Sequence, residues 1–232
     1  MFDQQDISYI INHLGEDHAS YFNAIAPPII QTSNFAFETV DDLRKAFEDE
    51  MGGYLYSRGL NPTVDILRKK LAALDGAEDA LVFNNGAAAV FAGVVANVKA
   101  GDHVLSVHHP YTWTAHLFDK ILSRFGVTVT YADGSDTAKF LSHVQPNTTF
   151  IYLESPNSWW LDIQDLKAIA DFARPRGIVT MIDNTYCTPI YQRTADFGID
   201  IPTTNEHYDY CVRERNGTMY YVQVKPPLVR SS

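Results

Sequence analysis

From Gly76 to Ile201, short apolar runs alternate with longer segments of helical character, and this alternation narrows the possible folds more than any other feature. Residues 80–83, 103–107, 127–131, 149–153 and 178–182 read as strands, and residues 87–98, 115–125, 136–143 and 163–173 read as the helices between them. Strands apolar on both faces and separated by helices form a mostly parallel sheet with helices on both sides. The expected fold class is therefore α/β, doubly wound. In such a sheet ligands bind outside the C-terminal ends of the strands, the one region the helices leave uncovered.

Two of those ends carry an acid. Glu154 follows the apolar run 149–153, and Asp183 follows 178–182; the spacing between them suits one βαβ repeat, which places both at the same edge of the sheet without settling whether their strands are neighbours. Asp183-Asn184 either caps the following turn, as these residue types often do, or holds a cationic group of a ligand. A third strand end runs through Asn84-Asn85-Gly86 into an apolar helix, where unpaired amides and the positive end of the helix dipole can receive an anion. The glycine patterns of dinucleotide-binding and P-loop folds are both missing there. Tyr111, just past the run 103–107, can lie over a flat ligand or belong to the core. His108-His109 beside it indicates no metal site, because adjacent positions on an extended segment point oppositely and spacing supplies no third ligand.

Ahead of the alternation lies an arm. Residues 7–14 can form a short helix, residues 26–30 are held extended by Pro27-Pro28, and Thr39-Val40-Asp41-Asp42 opens a helix that Gly52-Gly53 stops. The loop Tyr54-Leu55-Tyr56-Ser57-Arg58-Gly59 precedes a helix over residues 64–74; Arg58 and Tyr56 suit an anion, and a solvent-facing Arg is the plainer reading. With 28 acids against 18 Lys and Arg, the net charge of −10 argues against nucleic acid or an anionic membrane as partner and favours a small molecule. Two cysteines without a framework, and a start without a signal-peptide pattern, point to the cytoplasm.

The ordered set Tyr56-Ser57-Arg58, Phe83-Asn84-Asn85-Gly86-Ala87, Tyr111, Glu154-Ser155-Pro156 and Ile182-Asp183-Asn184-Thr185 resembles the pyridoxal-phosphate enzymes of cysteine and methionine metabolism. That family includes cystathionine γ-synthase, the cystathionine lyases, methionine γ-lyase and O-acetylhomoserine sulfhydrylase. The resemblance implies a fold type I large domain, pyridoxal 5'-phosphate as cofactor, and elimination or replacement at the β or γ carbon of a sulfur amino acid or activated homoserine. It also implies a homo-oligomer, dimer or tetramer. By the same likeness, Gly86 and Ala87 offer amides to the cofactor phosphate, while Tyr56 and Arg58 complete that site in a neighbouring subunit. Tyr111 stacks on the pyridine ring, Asp183 pairs with the protonated ring nitrogen, and Glu154 and Thr185 lie beside the cofactor.

Two departures stand out. Asn157-Ser158-Trp159-Trp160 replaces the family's usual continuation after Glu-Ser-Pro, and after Ile201 the segment that should carry the Schiff-base lysine is missing. The next lysine is Lys225. The expected division is thus an arm and phosphate loop over 1–60, a partial cofactor-binding domain over 61–201, and a divergent tail over 202–232 with no C-terminal domain. Either a shifted reading frame or truncation produces this pattern, or the chain is a divergent protein that has lost catalysis and binds the cofactor or an intact homologous subunit. A sheet lacking its last strands is expected to expose edges and to be poorly soluble.

Overall fold

The computed structural model describes residues 6–50, 52–206 and 208–213, and its contacts divide the chain into two units, 1–71 and 72–232. Lys225 lies outside the described residues. In the first unit, α1 (Ile7–Asn12) starts where the Asp6 carboxylate accepts from the Ser8 amide at 2.7 Å. Helix α2 (Val40–Glu48) starts likewise at Thr39, whose hydroxyl accepts from the Asp42 amide. The proline-held segment is pinned from α3 (Pro62–Asp75): the Ile30 amide donates to the Thr63 hydroxyl at 2.9 Å, and Asn61 Nδ2 donates to the Ile30 carbonyl at 3.0 Å.

The second unit holds a seven-stranded sheet. Its strands are β1 (Asp79–Val82), β2 (His103–Val107), β3 (Thr128–Ala132), β4 (Thr148–Glu154), β5 (Val179–Asp183), β6 (Ile201–Glu206) and β7 (Tyr208–Arg213), in spatial order β1-β7-β6-β5-β4-β2-β3. Neighbours from β6 to β3 are parallel, whereas β7 runs antiparallel between β6 and β1. The sequence suggested a sheet lacking its last strands, but among the described residues it continues past Ile201: residues 201–206 and 208–213 are two of its strands, and its outermost described strands are β1 and β3.

The connecting helices are α4 (Gly86–Val95), α5 (Thr112–His116), α6 (Thr137–Leu141), α7 (Leu166–Ala173) and α8 (Thr188–Tyr191). Four depart from their expected bounds: α6 covers Thr137–Leu141 rather than 136–143, and the other three differ for identifiable local reasons. Helix α4 stops at Val95 because Asn97 turns its side chain back on the Gly93 carbonyl at 2.7 Å. Helix α7 starts at Leu166 rather than at 163. Gln164 is held away by its amide's bond to the Ser155 hydroxyl, and the Asp165 carboxylate caps the helix through the Ala168 amide. Helix α5 begins three residues early and continues as a π-helical turn over Leu117–Ile121 and a 3-10 turn over Leu122–Phe125, closed by Gly126 at φ 74°.

Strand β4 shows how both faces are used. Ile151 and Leu153 pack with Phe140 of α6 and Leu166, Ile169, Ala170 and Ala173 of α7. Tyr152, pointing the other way, meets Phe118 edge-on at 5.4 Å. Burying one such aliphatic side chain contributes about 1.5–3 kcal/mol, so this central strand is rigid where it delivers Glu154 to the sheet edge.

Candidate functional site

Strands β4 and β5 are neighbours, and their register sets Glu154 opposite Asp183. A cavity of about 340 Å³ opens there, lined by Gly86, Val90, Tyr111, Glu154, Pro156, Ser158, Trp159, Asp183, Thr185 and Tyr186. Four strand-end segments thus converge: the start of α4, the turn before α5, and the loops after β4 and β5. On α4, Ala88 and Ala89 donate to the Asn85 carbonyl and Ala88 also to the Asn85 side chain at 2.8 Å, so the amides of Gly86 and Ala87 precede the first intrahelical bonds. Gly86 lines the cavity; Ala87 does not.

The two carboxyls are held differently. Glu154 is 1% exposed and accepts the Tyr111 amide at 2.7 Å through one oxygen and the Ser158 amide at 3.1 Å through the other. Burial first, and the charge of Asp183 second, push its carboxyl up to about 7, against hydrogen bonding from the Tyr111 amide and from the side chain and amide of Ser158. Asp183 keeps part of its surface open to the cavity and accepts from the Thr185 amide at 3.0 Å. Burial raises its carboxyl too, with the Thr185 hydrogen bonds opposing. Two buried carboxyls side by side ionise together only at a cost, and a cation in the cavity removes that cost. The turn-capping reading of Asp183 and the ligand reading are therefore not exclusive: Thr185 fixes the carboxylate that the cavity presents.

The structure thus brings together Gly86, Tyr111, Glu154, Asp183 and Thr185. Tyr56 and Arg58 stand in the first unit, where they line a separate cavity with Asn34, Phe47 and Glu50, the Arg58 guanidinium 4.8 Å above the Tyr56 ring. Sequence reasoning passed over Val90, Ser158, Trp159 and Tyr186. Val90 was within reach, being one turn from Gly86 on the same helix face. Trp159 and Tyr186 belong to loops whose shape no spacing rule supplies; the Tyr186 hydroxyl donates to the Ser158 carbonyl at 3.3 Å, closing one wall. His108 and His109 do not diverge as an extended segment would require: with His109 at φ 48° their rings lie 5.1 Å apart, His109 also beside Trp160, and His108 meets two aspartates that spacing could not place, Asp133 and Asp162.

A cationic, planar, phosphorylated ligand fits this donor set, with an acid on one side and helix amides on another. The family profile of the Cys/Met metabolism PLP-dependent enzymes matches residues 9–206. The chain belongs to this family. Among relatives, an L-methionine gamma-lyase of Porphyromonas gingivalis is 38% identical over 181 residues, covering 78% of this chain and 45% of the relative. An O-succinylhomoserine sulfhydrylase of Pseudomonas aeruginosa is 36% identical over 173 residues, covering 75% of this chain and 43% of the relative. The chain spans about half the length of the curated relatives it matches. A crystal structure from Campylobacter jejuni, assigned as an O-acetylhomoserine (thiol)-lyase, superposes with a TM-score of 0.84 at 24% identity over 93% of this chain and 55% of that one. The fold is thus the incomplete α/β fold of type I PLP-dependent enzymes. The family's cofactor is pyridoxal phosphate. No helix among the described residues is long and apolar enough to cross a membrane.

Proposed function

We propose that the cavity at the ends of β4 and β5 is the pyridoxal 5'-phosphate site of an enzyme of elimination or replacement at the β or γ carbon of sulfur amino acids or activated homoserine. The observation that carries this reading is Asp183, fixed by Thr185 beside a second buried carboxyl and facing a cavity that also takes in the start of α4. When bound, the cofactor supplies an electron sink for a substrate carbanion. In this reading the residues of the chain do the following. Asp183 holds a proton on the ring nitrogen by remaining ionised. Gly86 and Ala87 offer their amides to the phosphate, and Tyr111 covers the ring. Glu154 positions Tyr111 through its amide, and Trp159 and Tyr186 wall the cavity against water.

The same reading takes the protein as a cytoplasmic homo-oligomer, dimer or tetramer, in which Tyr56 and Arg58 of one subunit complete the phosphate site of the next. Residues 1–60 are then arm and phosphate loop, 61–201 the cofactor-binding part, and 202–232 the segment where the lysine-bearing pattern is replaced. Among the described residues none that lines the cavity is a lysine, and the segment after Ile201 departs from the family's lysine-bearing pattern, which favours a second statement: this chain holds the cofactor without a covalent link and is impaired in turnover on its own. As a non-catalytic fragment or pseudoenzyme it binds the cofactor or an intact homologous subunit.

Titration of the purified chain with pyridoxal phosphate, followed by visible absorbance and fluorescence, tests both statements. Saturable binding that Asp183→Ala weakens by roughly a hundredfold is expected, since an ion pair in a buried site is worth a few kcal/mol when one partner is removed. Equal binding by wild type and variant would remove the assignment. Borohydride treatment should leave no cofactor on a single lysine; a specific lysine adduct found by mass spectrometry would instead identify a catalytic residue and end the impaired reading.

A further inference from the structure

The corner formed by the loops after β2, β3 and β4 carries a cluster that the cofactor reading does not use. His108, Asp133 and Asp162 each offer one donor atom, and these atoms lie within 4.8 Å of one another, close enough for small side-chain rotations to bring them onto one ion. His108 Nε2 and Asp162 Oδ2 are 3.3 Å apart, and two ligands of a tetrahedral zinc ion, each about 2.0–2.1 Å from the metal, lie about 3.3–3.4 Å apart. We propose that His108, Asp133 and Asp162 form a binding site for one divalent transition cation of the zinc class, completed by water. An imidazole with two carboxylates suits such an ion better than calcium or magnesium, which take oxygen ligands throughout.

The surroundings hold each ligand in place. The His108 amide donates to the Ala132 carbonyl at 2.8 Å, and the His108 carbonyl accepts from Asn157 Nδ2 at 3.2 Å. The Asp162 carbonyl accepts the Asn157 amide at 2.9 Å and Gln164 Nε2 at 3.1 Å. Asp133 Oδ1 accepts both the amide and the hydroxyl of Ser135, at 2.9 and 2.7 Å. Second partners of this kind orient metal ligands.

A separate observation marks the same corner. Gln164 is 4% exposed and packs against Gly134, the neighbour of Asp133, where a side chain's first carbon would collide with the Gln164 Cγ. Its Nε2 is used on Asp162, yet its Oε1 is buried with no hydrogen-bond partner. Buried amide oxygens are rarely left so, and a metal-bound water is a donor of the right kind. An ion here would tie the loop 155–162, with the cavity-lining Ser158 and Trp159, to β2 and β3. The inference does not depend on the cofactor reading.

The test uses the chain without an affinity tag, stripped with a chelator and titrated with Zn²⁺ by calorimetry and with Co²⁺ by visible absorbance. One saturable equivalent is expected, with a ligand-field band for cobalt and no competition from millimolar Mg²⁺ or Ca²⁺. The double variant Asp133→Asn, Asp162→Asn should lose saturable uptake while keeping the wild-type far-UV spectrum. Ser135→Ala touches no ion directly and should weaken binding roughly tenfold or more. Should the double variant fail to fold, Ser135→Ala decides alone. Absence of saturable uptake by wild type, unchanged uptake by a folded double variant, or unchanged affinity in Ser135→Ala would each overturn the site, leaving His108 and Asp162 as an ordinary hydrogen-bonded pair.

Discussion

Glu154 is the residue on which most of the site turns, because one carboxyl holds two amides and faces a second carboxyl. Its protonated form is favoured in the folded chain, so between its ordinary value of 4.5 and about 7 the folded chain binds more protons than the unfolded one. Stability without cofactor is then full below the lower limit and falls as pH rises toward the upper one, by up to roughly 3 kcal/mol. Urea melts between pH 5 and 8 should show that decline. Glu154→Gln cannot ionise and should lose most of the slope; what remains combines Asp183, whose carboxyl burial also raises, with His103, whose imidazole burial lowers and which acts in the opposite sense. The amide has one acceptor oxygen, so it faces either the Tyr111 or the Ser158 amide with an N–H, and at pH 5 the variant should be less stable than wild type by about 1–3 kcal/mol. A variant with an undiminished slope would move the titration to another group.

At the scale of elements, the start of α4 is where fold and function meet. Asn85 caps the helix through the Ala88 amide, and this leaves the earlier amides of Gly86 and Ala87 for a ligand. Asn85→Ala should cost about 1 kcal/mol in thermal or urea unfolding. The Gly86 and Ala87 amides survive the change, so pyridoxal phosphate affinity should fall far less than in Asp183→Ala; an equal loss would mean that Asn85 itself touches the ligand. This turn was legible beforehand, because a short apolar run ending in Asn-Asn-Gly before an apolar helix has few other readings. Strand β2 was legible to the residue, its five positions being buried in unbroken succession. What periodicity could not supply was the conformation of irregular segments. Helix α7 starts late because Ser155, nine positions earlier, takes the Gln164 amide, and His108 gains Asp133 and Asp162 only when three loops close on one corner. Contacts of that sort depend on tertiary geometry, and a linear pattern carries them only through family likeness.

At the scale of the whole second unit, the site depends on a strand that the family pattern did not lead us to expect. Helix α4, whose start lines the cavity, packs on β5, β6 and β7, and β7 is what joins β1 to the rest of the sheet. Cys211 is paired on both sides, with Leu81 of β1 and Thr203 of β6, and Thr203 is in turn the partner of Asp183. Backbone order therefore passes from the antiparallel strand to the acid in two steps. Proline at a central strand position removes a ladder hydrogen bond and is not accommodated there, with a cost of about 3 kcal/mol or more by analogy with its effect in helices. Cys211→Pro should speed hydrogen exchange in residues 79–82, which lose their sheet neighbour. It should also weaken pyridoxal phosphate binding, because α4 loses part of its floor. Cys211→Ala, which leaves the backbone pattern intact, should do neither. If Cys211→Pro exchanged and bound like wild type, β7 would not be supporting the sheet, and the order of α4 at the cavity would have to come from β5 and β6 alone.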